Sequence, residues 1–310
     1  MSQVALLDYF QSWDPKFRRS YVPEWPSRCL CVDTEYDSSS RDTGLIWEVG
    51  HAIVSDGVVV DRANHVLNWY MYPQFTTQYL DGRLADIASR VGFDWRLTPQ
   101  VVQQEGVDPI KVLRFYLQLF TQWAKQDAAF VMQNGQAADE VLFSANFQRF
   151  LGKNFMFPDH TYFDTGCMFK AAQAWMEPAS FGRHKVEFSP TSMDTPKSYF
   201  RRVSLAKIRG LQWRLGLIVE KFSLLEKYAI PGVQTNFHNA LYDAECLSWI
   251  MNEFGGVYKL LSAAGAKPAQ FPEFLSVGHV ASIVDEELAG PKMVGYPPGQ
   301  PQAFNRQRNV

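Results

Sequence analysis

The sequence predicts an α/β fold, built on a mixed five-stranded sheet in which an antiparallel meander comes first and parallel strands alternating with helices follow. Three observations lead there. An apolar run, Cys29-Leu30-Cys31-Val32, is followed after a polar loop by two more strand-like segments joined through Ser55-Asp56-Gly57, a good hairpin turn. From about residue 98 the apolar spacing changes to three or four residues, with short apolar strands between the helical stretches. The first run also ends in Asp33 and Glu35, and a strand sends residues spaced two apart to the same face.

Taken in order, residues 1–27 are punctuated by Trp13, Pro15, Pro23, Trp25 and Pro26 and predict an arm packed on the outside of the core. The main domain is expected over 28–262. Its first strand is central, its second runs from Leu45 to Val54, and its third from Val58 to about Trp69. Thr98-Pro99 opens a short helix with Thr as N-cap and Pro at the first helical position. Pro109 opens a longer one with Ile110, Leu113, Leu117, Phe120 and Trp123 on a stripe. Ala128 to Met132 is a short strand leading into Gln133-Asn134-Gly135. The helix after it carries Asp139, Phe143, Phe147 and Phe150 on one stripe, so Asp139 heads a buried face. Thr161 to Thr165 reads as the fifth strand, and Gly166 to Met176 as a helix. Residues 177–215 then lose the pattern and become basic. Leu224 to Tyr228 is helical, and Phe237 to Phe254 is a helix with Leu241, Ala244, Leu247 and Met251 on one face. Residues 263–310 form a Pro-rich extension with a short helix around Phe274 to Leu288 and a flexible tail.

Composition limits the partners. In 310 residues, 46% hydrophobic and 15% aromatic content can fill a sizeable core. A net charge of −2 gives no global basic field, so any nucleic-acid surface must be local. Cys29, Cys31, Cys167 and Cys246 fit neither a disulfide framework nor a zinc spacing, and read as core thiols in a reducing compartment. No stretch reaches about 18 uncharged apolar residues, so no membrane span is expected and the expectation is a soluble intracellular chain, cytoplasmic or nuclear.

Asp33 and Glu35 at the end of a buried strand repel each other and lose hydration, which a cation between them would offset. An isolated Asp-x-Glu more often marks a strand running out into a polar turn. What changes the reading is its company: Asp139 opening a helix after the fourth strand, and His238 with Asp243 opening the last long helix.

Those motifs resemble the DEDDh 3′→5′ exonucleases of the ribonuclease-H-like superfamily, the group of proofreading subunits and ribonuclease T. Val32-Asp33-Thr34-Glu35 is followed by Trp47-Glu48-Val49-Gly50, similar to the family's "E-I-G". Gln133-Asn134-Gly135-Gln136-Ala137-Ala138-Asp139 is similar to "H-N-x-x-F-D", with Gln133 in place of the common histidine and Ala138 in place of the phenylalanine. His238-Asn239-Ala240-Leu241-Tyr242-Asp243-Ala244 is very close to "H-x-A-x-x-D-A".

The resemblance implies a ribonuclease-H-like sheet and hydrolysis of DNA or RNA single strands from the 3′ end, releasing nucleoside 5′-monophosphates. It also implies two ions, Mg²⁺ or Mn²⁺, with Asp33 as shared ligand, Glu35 and Asp243 on the water-activating ion, Asp139 on the second, and His238 as general base. The chemistry agrees: phosphodiester hydrolysis needs an activated water and a neutralised leaving oxygen, and two divalent ions about 3.5–4 Å apart supply both. Five residues separate His238 from Asp243, roughly 140° on an ideal helix, so His238 is expected on the loop or frayed first turn. Glu48 is open between an acid that orients the site and a solvated or locally paired side chain.

Residues 181–215 hold Arg183, Lys185, Lys197, Arg201, Arg202, Lys207, Arg209 and Arg214 against Glu187 and Asp194, interleaved with Phe181, Phe188, Tyr199, Phe200 and Trp213. That pattern predicts a surface tracking a single strand, or else a solvated loop and an ordinary helix. Arg201, Arg202, Lys207 and Arg209, with Thr34 beside the first acids, are the candidate strand contacts. The alternative function is a nucleic-acid-binding or interaction subunit of a replication or RNA-processing complex, with the C-terminal tail as docking peptide for a protein partner. A homodimer is compatible with the sequence.

Overall fold

A five-stranded sheet in the order β3-β2-β1-β4-β5 runs through the chain, which was analysed as a computed structural model describing residues 3–14, 16–17, 25–37, 43–92, 95–126, 128–229 and 236–262. Helix α1 (Gln3–Gln11) precedes the sheet. Strands β1 (Arg28–Tyr36), β2 (Ile46–Ser55) and β3 (Val58–Val66) form the antiparallel meander, and β4 (Ala129–Met132) and β5 (Tyr162–Asp164) continue it in parallel. This is the expected α/β class, with β1 central. The hairpin turn takes left-handed φ at both Asp56 (51°) and Gly57 (82°), which matches the twist of the strands it joins. β3 ends at Val66, before the expected Trp69. There a 3₁₀ turn, Trp69–Met71, starts with the Asn68 side chain accepting from the Tyr70 N–H, and the Trp69 indole donates to the Ile46 carbonyl.

Helix α2 (Thr77–Val91) carries no sequence signal that the apolar pattern resolves, because in 15 residues it buries only Leu80, Leu84 and Ile87. Helix α3 (Pro99–Glu105) starts as expected, with the Thr98 hydroxyl accepting from the Val101 N–H. In α4 (Pro109–Ala124) the buried face is Val112, Leu113, Phe115, Tyr116, Leu119, Phe120 and Trp123, so Ile110 and Leu117 sit at the edge of the stripe. Helix α5 (Asp139–Asn146) continues through a wider turn, Phe147–Leu151; Asp139, Phe143 and Phe147 are buried and Phe150 half-buried. The Asp164 carboxylate caps α6 (Thr165–Met176) by accepting from the Cys167 N–H at 2.9 Å.

Residues 177–215 correct the sequence reading. They contain α7 (Pro178–Phe181), α8 (Lys185–Phe188) and α9 (Pro196–Leu205), the last held by a Thr195–Ser198 capping box. Phe181, Phe188, Tyr199 and Phe200 are core residues, and of the five interleaved aromatics only Trp213 is exposed. Elements this short span too few turns for periodicity to register. Helices α10 (Leu215–Lys221) and α11 (Leu224–Tyr228) lead to α12 (Ala240–Ser262), which packs across β1 and β2. Helix α1 packs on α12 and α6 from outside, yet buries Leu6, Tyr9 and Phe10 in the common core. The expected helix around Phe274 to Leu288 and the tail lie outside the described residues. All four cysteines are buried and unbridged, and no described helix is long and apolar enough to cross a membrane.

Gly50 decides where α12 lands. It pairs with Asp33 across β1 and β2, and a Cβ there would stand 2.1 Å from the backbone of Ala240 and Leu241. Only a hydrogen lets the helix start that close to the sheet. Gly50→Ala should therefore cost about 3 kcal/mol or more of unfolding free energy; urea unfolding at parental stability would contradict the packing.

On the far side of the meander the imidazoles of His51 and His65 are buried, each with Nδ1 near the Tyr116 hydroxyl, at 3.0 and 3.2 Å. Burial pushes both down to about 3. Unfolded histidine binds its proton near 6.5. Between those values the unfolded chain binds more protons, so this pair removes stability as pH falls from about 6.5 towards 3. His65→Asn should shrink the loss of urea midpoint between pH 7 and pH 4.5; a loss as large as the parent's would contradict neutral burial.

Candidate metal centre

The sheet and α12 bring three acids together. Asp33 and Glu35 leave the same face of β1, and α12 supplies Asp243 from its first turn, where the Asn239 side chain accepts from the Tyr242 N–H at 3.0 Å and the Asp243 N–H donates to the Asn239 carbonyl at 2.9 Å. Among the described residues, Asp33, Glu35 and Asp243 each place a carboxylate oxygen within 4.8 Å of the others.

His238 lies just before the helix, as the helical angle required. Its φ of 64° is left-handed, a conformation that costs free energy for a residue with a side chain and recurs at functional sites. Its backbone N–H donates to Asp243 Oδ2 at 3.0 Å, and its Nδ1 stands 3.8 Å from Glu35 Oε1. The imidazole stays 47% exposed, open to incoming water or ligand.

Asp139 borders this group without joining it. It is buried at the start of α5, and the Thr34 hydroxyl donates to its Oδ1 at 2.5 Å. Thr34 is itself buried, and its hydroxyl fixes that carboxylate.

Electrostatics make the cluster costly when empty of cations. Burial first, and the Asp243 charge second, hold the Asp33 and Glu35 carboxyls well above the usual carboxylate range. Burial is also the main cause that pushes Asp139 up to about 7 and Asp243 up to about 8. Asp243 Oδ1 is buried without a hydrogen-bond partner. Hard oxygen donors, excess negative charge and an orphaned lone pair fit a divalent cation such as Mg²⁺ or Mn²⁺, which Asp33, Glu35 and Asp243 could hold.

Glu48 is fully buried and sits opposite Glu35 in the β1–β2 register. The Arg96 guanidinium pairs with it and the Asn64 amide donates to it, while its charge adds to the field that raises Glu35, Asp33 and Asp243. Glu48 is thus paired rather than solvated, beside the site acids whose charge it shares. Arg96 itself gave no sequence signal, since the pairing spans 48 residues.

Of the basic candidates, Arg201, Lys207 and Arg209 are exposed. Arg202 is also exposed but engaged: it donates to the Glu187 carbonyl, pairs with Asp194 at 2.8 Å and lies over the Tyr199 ring. Lys197 pairs with Glu140 at 2.5 Å; burial holds that carboxyl above its ordinary range, and the Lys197 and Arg201 charges oppose the rise, so α9 borders the residue next to Asp139.

No protein-family model matches the sequence, and no curated protein matches it. Among solved structures the chain is similar to exonuclease I, with 14% identity and a TM-score of 0.44 over 76% of this chain and 43% of that one. The chain thus spans less than half the length of that protein.

Asp243→Asn should raise the metal-free melting temperature, because it removes a like charge while keeping an acceptor for His238. The same change should remove most of the stabilisation by Mn²⁺, which for the parent reaches about 2.7 kcal/mol at a hundred times the dissociation constant. A parent chain whose melting ignores Mn²⁺ and Mg²⁺ would contradict a metal centre here.

Proposed function

We propose that this chain is a metal-dependent 3′→5′ exonuclease of the DEDDh type that releases nucleoside 5′-monophosphates from single-stranded DNA or RNA. The observation that carries the reading is the convergence of Asp33, Glu35 and Asp243, with His238 turned over them from a left-handed residue. The ordered motifs support it from the sequence side.

Asp33, Glu35 and Asp243 would hold one divalent ion, and Asp33 with Asp139 a second, reached from Asp139 directly or through water. Bound there, the ions would acidify a water molecule and neutralise charge on the departing 3′ oxygen. His238 takes the proton from the attacking water as general base, a role suited to an imidazole that stays in contact with solvent. The Asp243 carboxylate fixes the His238 backbone, so ligand and base move as one unit. Thr34 orients Asp139 through its hydroxyl. Glu48, balanced by Arg96, holds negative charge behind Glu35 and strengthens the pull of the cluster on cations. Exposed Arg201, Lys207 and Arg209 contribute phosphate contacts along the incoming strand.

The test is digestion of matched 5′-labelled DNA and RNA, single and double stranded, with Mg²⁺ or Mn²⁺. The expected result is a ladder shortening from the 3′ end, with 5′-mononucleotides as product and circular single strands resistant. No hydrolysis by the full chain in either metal would leave a binding or interaction subunit. His238→Ala should lower the chemical rate by about 10²–10⁴ while oligonucleotide binding survives; a small loss at saturating substrate would remove its role as base.

A further inference from the structure

The segment 212–214 is exposed on its side chains and clamped on its backbone. Gln173, 1% exposed, spends both ends of its amide there: its Oε1 accepts from the Gln212 N–H at 3.2 Å and its Nε2 donates to the Gln212 carbonyl. One residue on, the Gln133 amide donates to the Trp213 carbonyl, while its own Oε1 accepts from the Thr165 hydroxyl at 2.6 Å. A Cβ on Gly166 would stand 2.6 Å from that Gln133 nitrogen, so the glycine makes room for the strut. Upstream, the Lys170 ammonium donates to the Ser204 and Ala206 carbonyls at 3.1 and 2.7 Å.

The clamp places the segment at the rim of the acid cluster. Gln133 leaves β4 two residues past Val131, and Asp33 lies two past its β1 partner Cys31. On the other side, a Cβ on Gly216 would be 3.4 Å from the ring of Phe237, the residue before His238. Residues 212–216 therefore run between the end of β4 and the His238 turn. Trp213 is 38% exposed there, and among the described residues its ring packs on no other aromatic. Arg214 next to it is exposed, as are Lys207 and Arg209 earlier in the same stretch.

A rigid backbone carrying an exposed indole and several cations suits a partner with an aromatic face and regular negative charge. We infer that Trp213 is the stacking platform for a nucleobase of the bound strand, and that Gln133 and Gln173 are the positioning residues that hold it beside the metal centre. The inference rests on the nuclease reading above. It also gives the Gln133 departure from the family's histidine a use: the amide has an acceptor for Thr165 and a donor for Trp213 at once. Every base has a π face, so the platform would act without sequence preference.

The experiment compares parent, Trp213→Ala, Trp213→Phe, Gln133→Ala and the Gln133→Ala/Trp213→Ala double variant on 5′-labelled single strands in which an abasic site is placed in turn at each of the last four positions. Trp213→Ala should raise KM roughly 5- to 100-fold on the intact strand, the range of single stacking interactions, with kcat nearly unchanged and Phe restoring most of it. At one position the abasic site should cost the parent a similar factor and cost Trp213→Ala nothing more. Gln133→Ala should raise KM in the same sense and be non-additive with Trp213→Ala, which a merely structural role would not produce. Equal KM for parent and Trp213→Ala, or additive losses at every abasic position, would overturn the platform while leaving the nuclease reading intact. A parent that hydrolyses no strand would overturn both.

Discussion

Burial of like-charged carboxylates, with their mutual repulsion added at Asp33 and Glu35, is the constraint around which this chain is arranged. Asp33, Glu35, Asp139 and Asp243 are each held above the ordinary carboxylate range, and burial is the leading cause in every case. A fold that left them so without purpose would lose stability at neutral pH. The neighbouring structure serves to keep them there. Gly50 gives up its side chain so that α12 can deliver Asp243, and His238 adopts a left-handed backbone tied to the same carboxylate. Thr34 ties down Asp139 from the other direction.

The framework behind the site is stiff. Aromatic rings fill the space between the sheet and its helices, with Phe120, Phe130, Phe143 and Phe157 in successive edge-on or tilted contacts. A second set, Tyr9, Phe10, Trp13, Trp25 and Tyr258, locks the N-terminal helix onto the outer face of α12. Asp33, Glu35 and Asp243 thus stand on elements held from both faces, as a preorganised site needs. The exposed groups, His238 and Trp213, are tethered through their backbones instead, which fixes their origin and leaves the rings able to adjust.

Much of this was legible in the residues. The apolar run Cys29 to Val32 ending in Asp33 and Glu35, the Asp-Gly turn and the Thr98-Pro99 cap all act locally, and each appears where the pattern puts it. So does the position of His238, which follows from helical angle alone. The missed features are those set by distant contacts or by elements too short to show a period. The helices of 178–205 are short pieces whose aromatics face the core, and spacing alone could not tell that orientation from a surface display. Arg202 is exposed, yet local carbonyls and Asp194 engage it, contacts that its place in a basic run does not show. Arg96 against Glu48, and Gln133 against Trp213, join residues 48 and 80 positions apart. The one available signal for the second pair was Gln133 itself, a departure from the resembled motif with no evident role until the loop it holds is seen.

The central claim is that the acids on β1 and α12 exist to bind divalent cations at a strand end. The most direct measurement is anomalous scattering from crystals of the full chain grown with Mn²⁺ and a nucleoside 5′-monophosphate. The account predicts a strong peak bounded by Asp33, Glu35 and Asp243, a second towards Asp139, and the phosphate between the two. Absence of any peak among these carboxylates at saturating Mn²⁺, with the acids in the same arrangement, would contradict it.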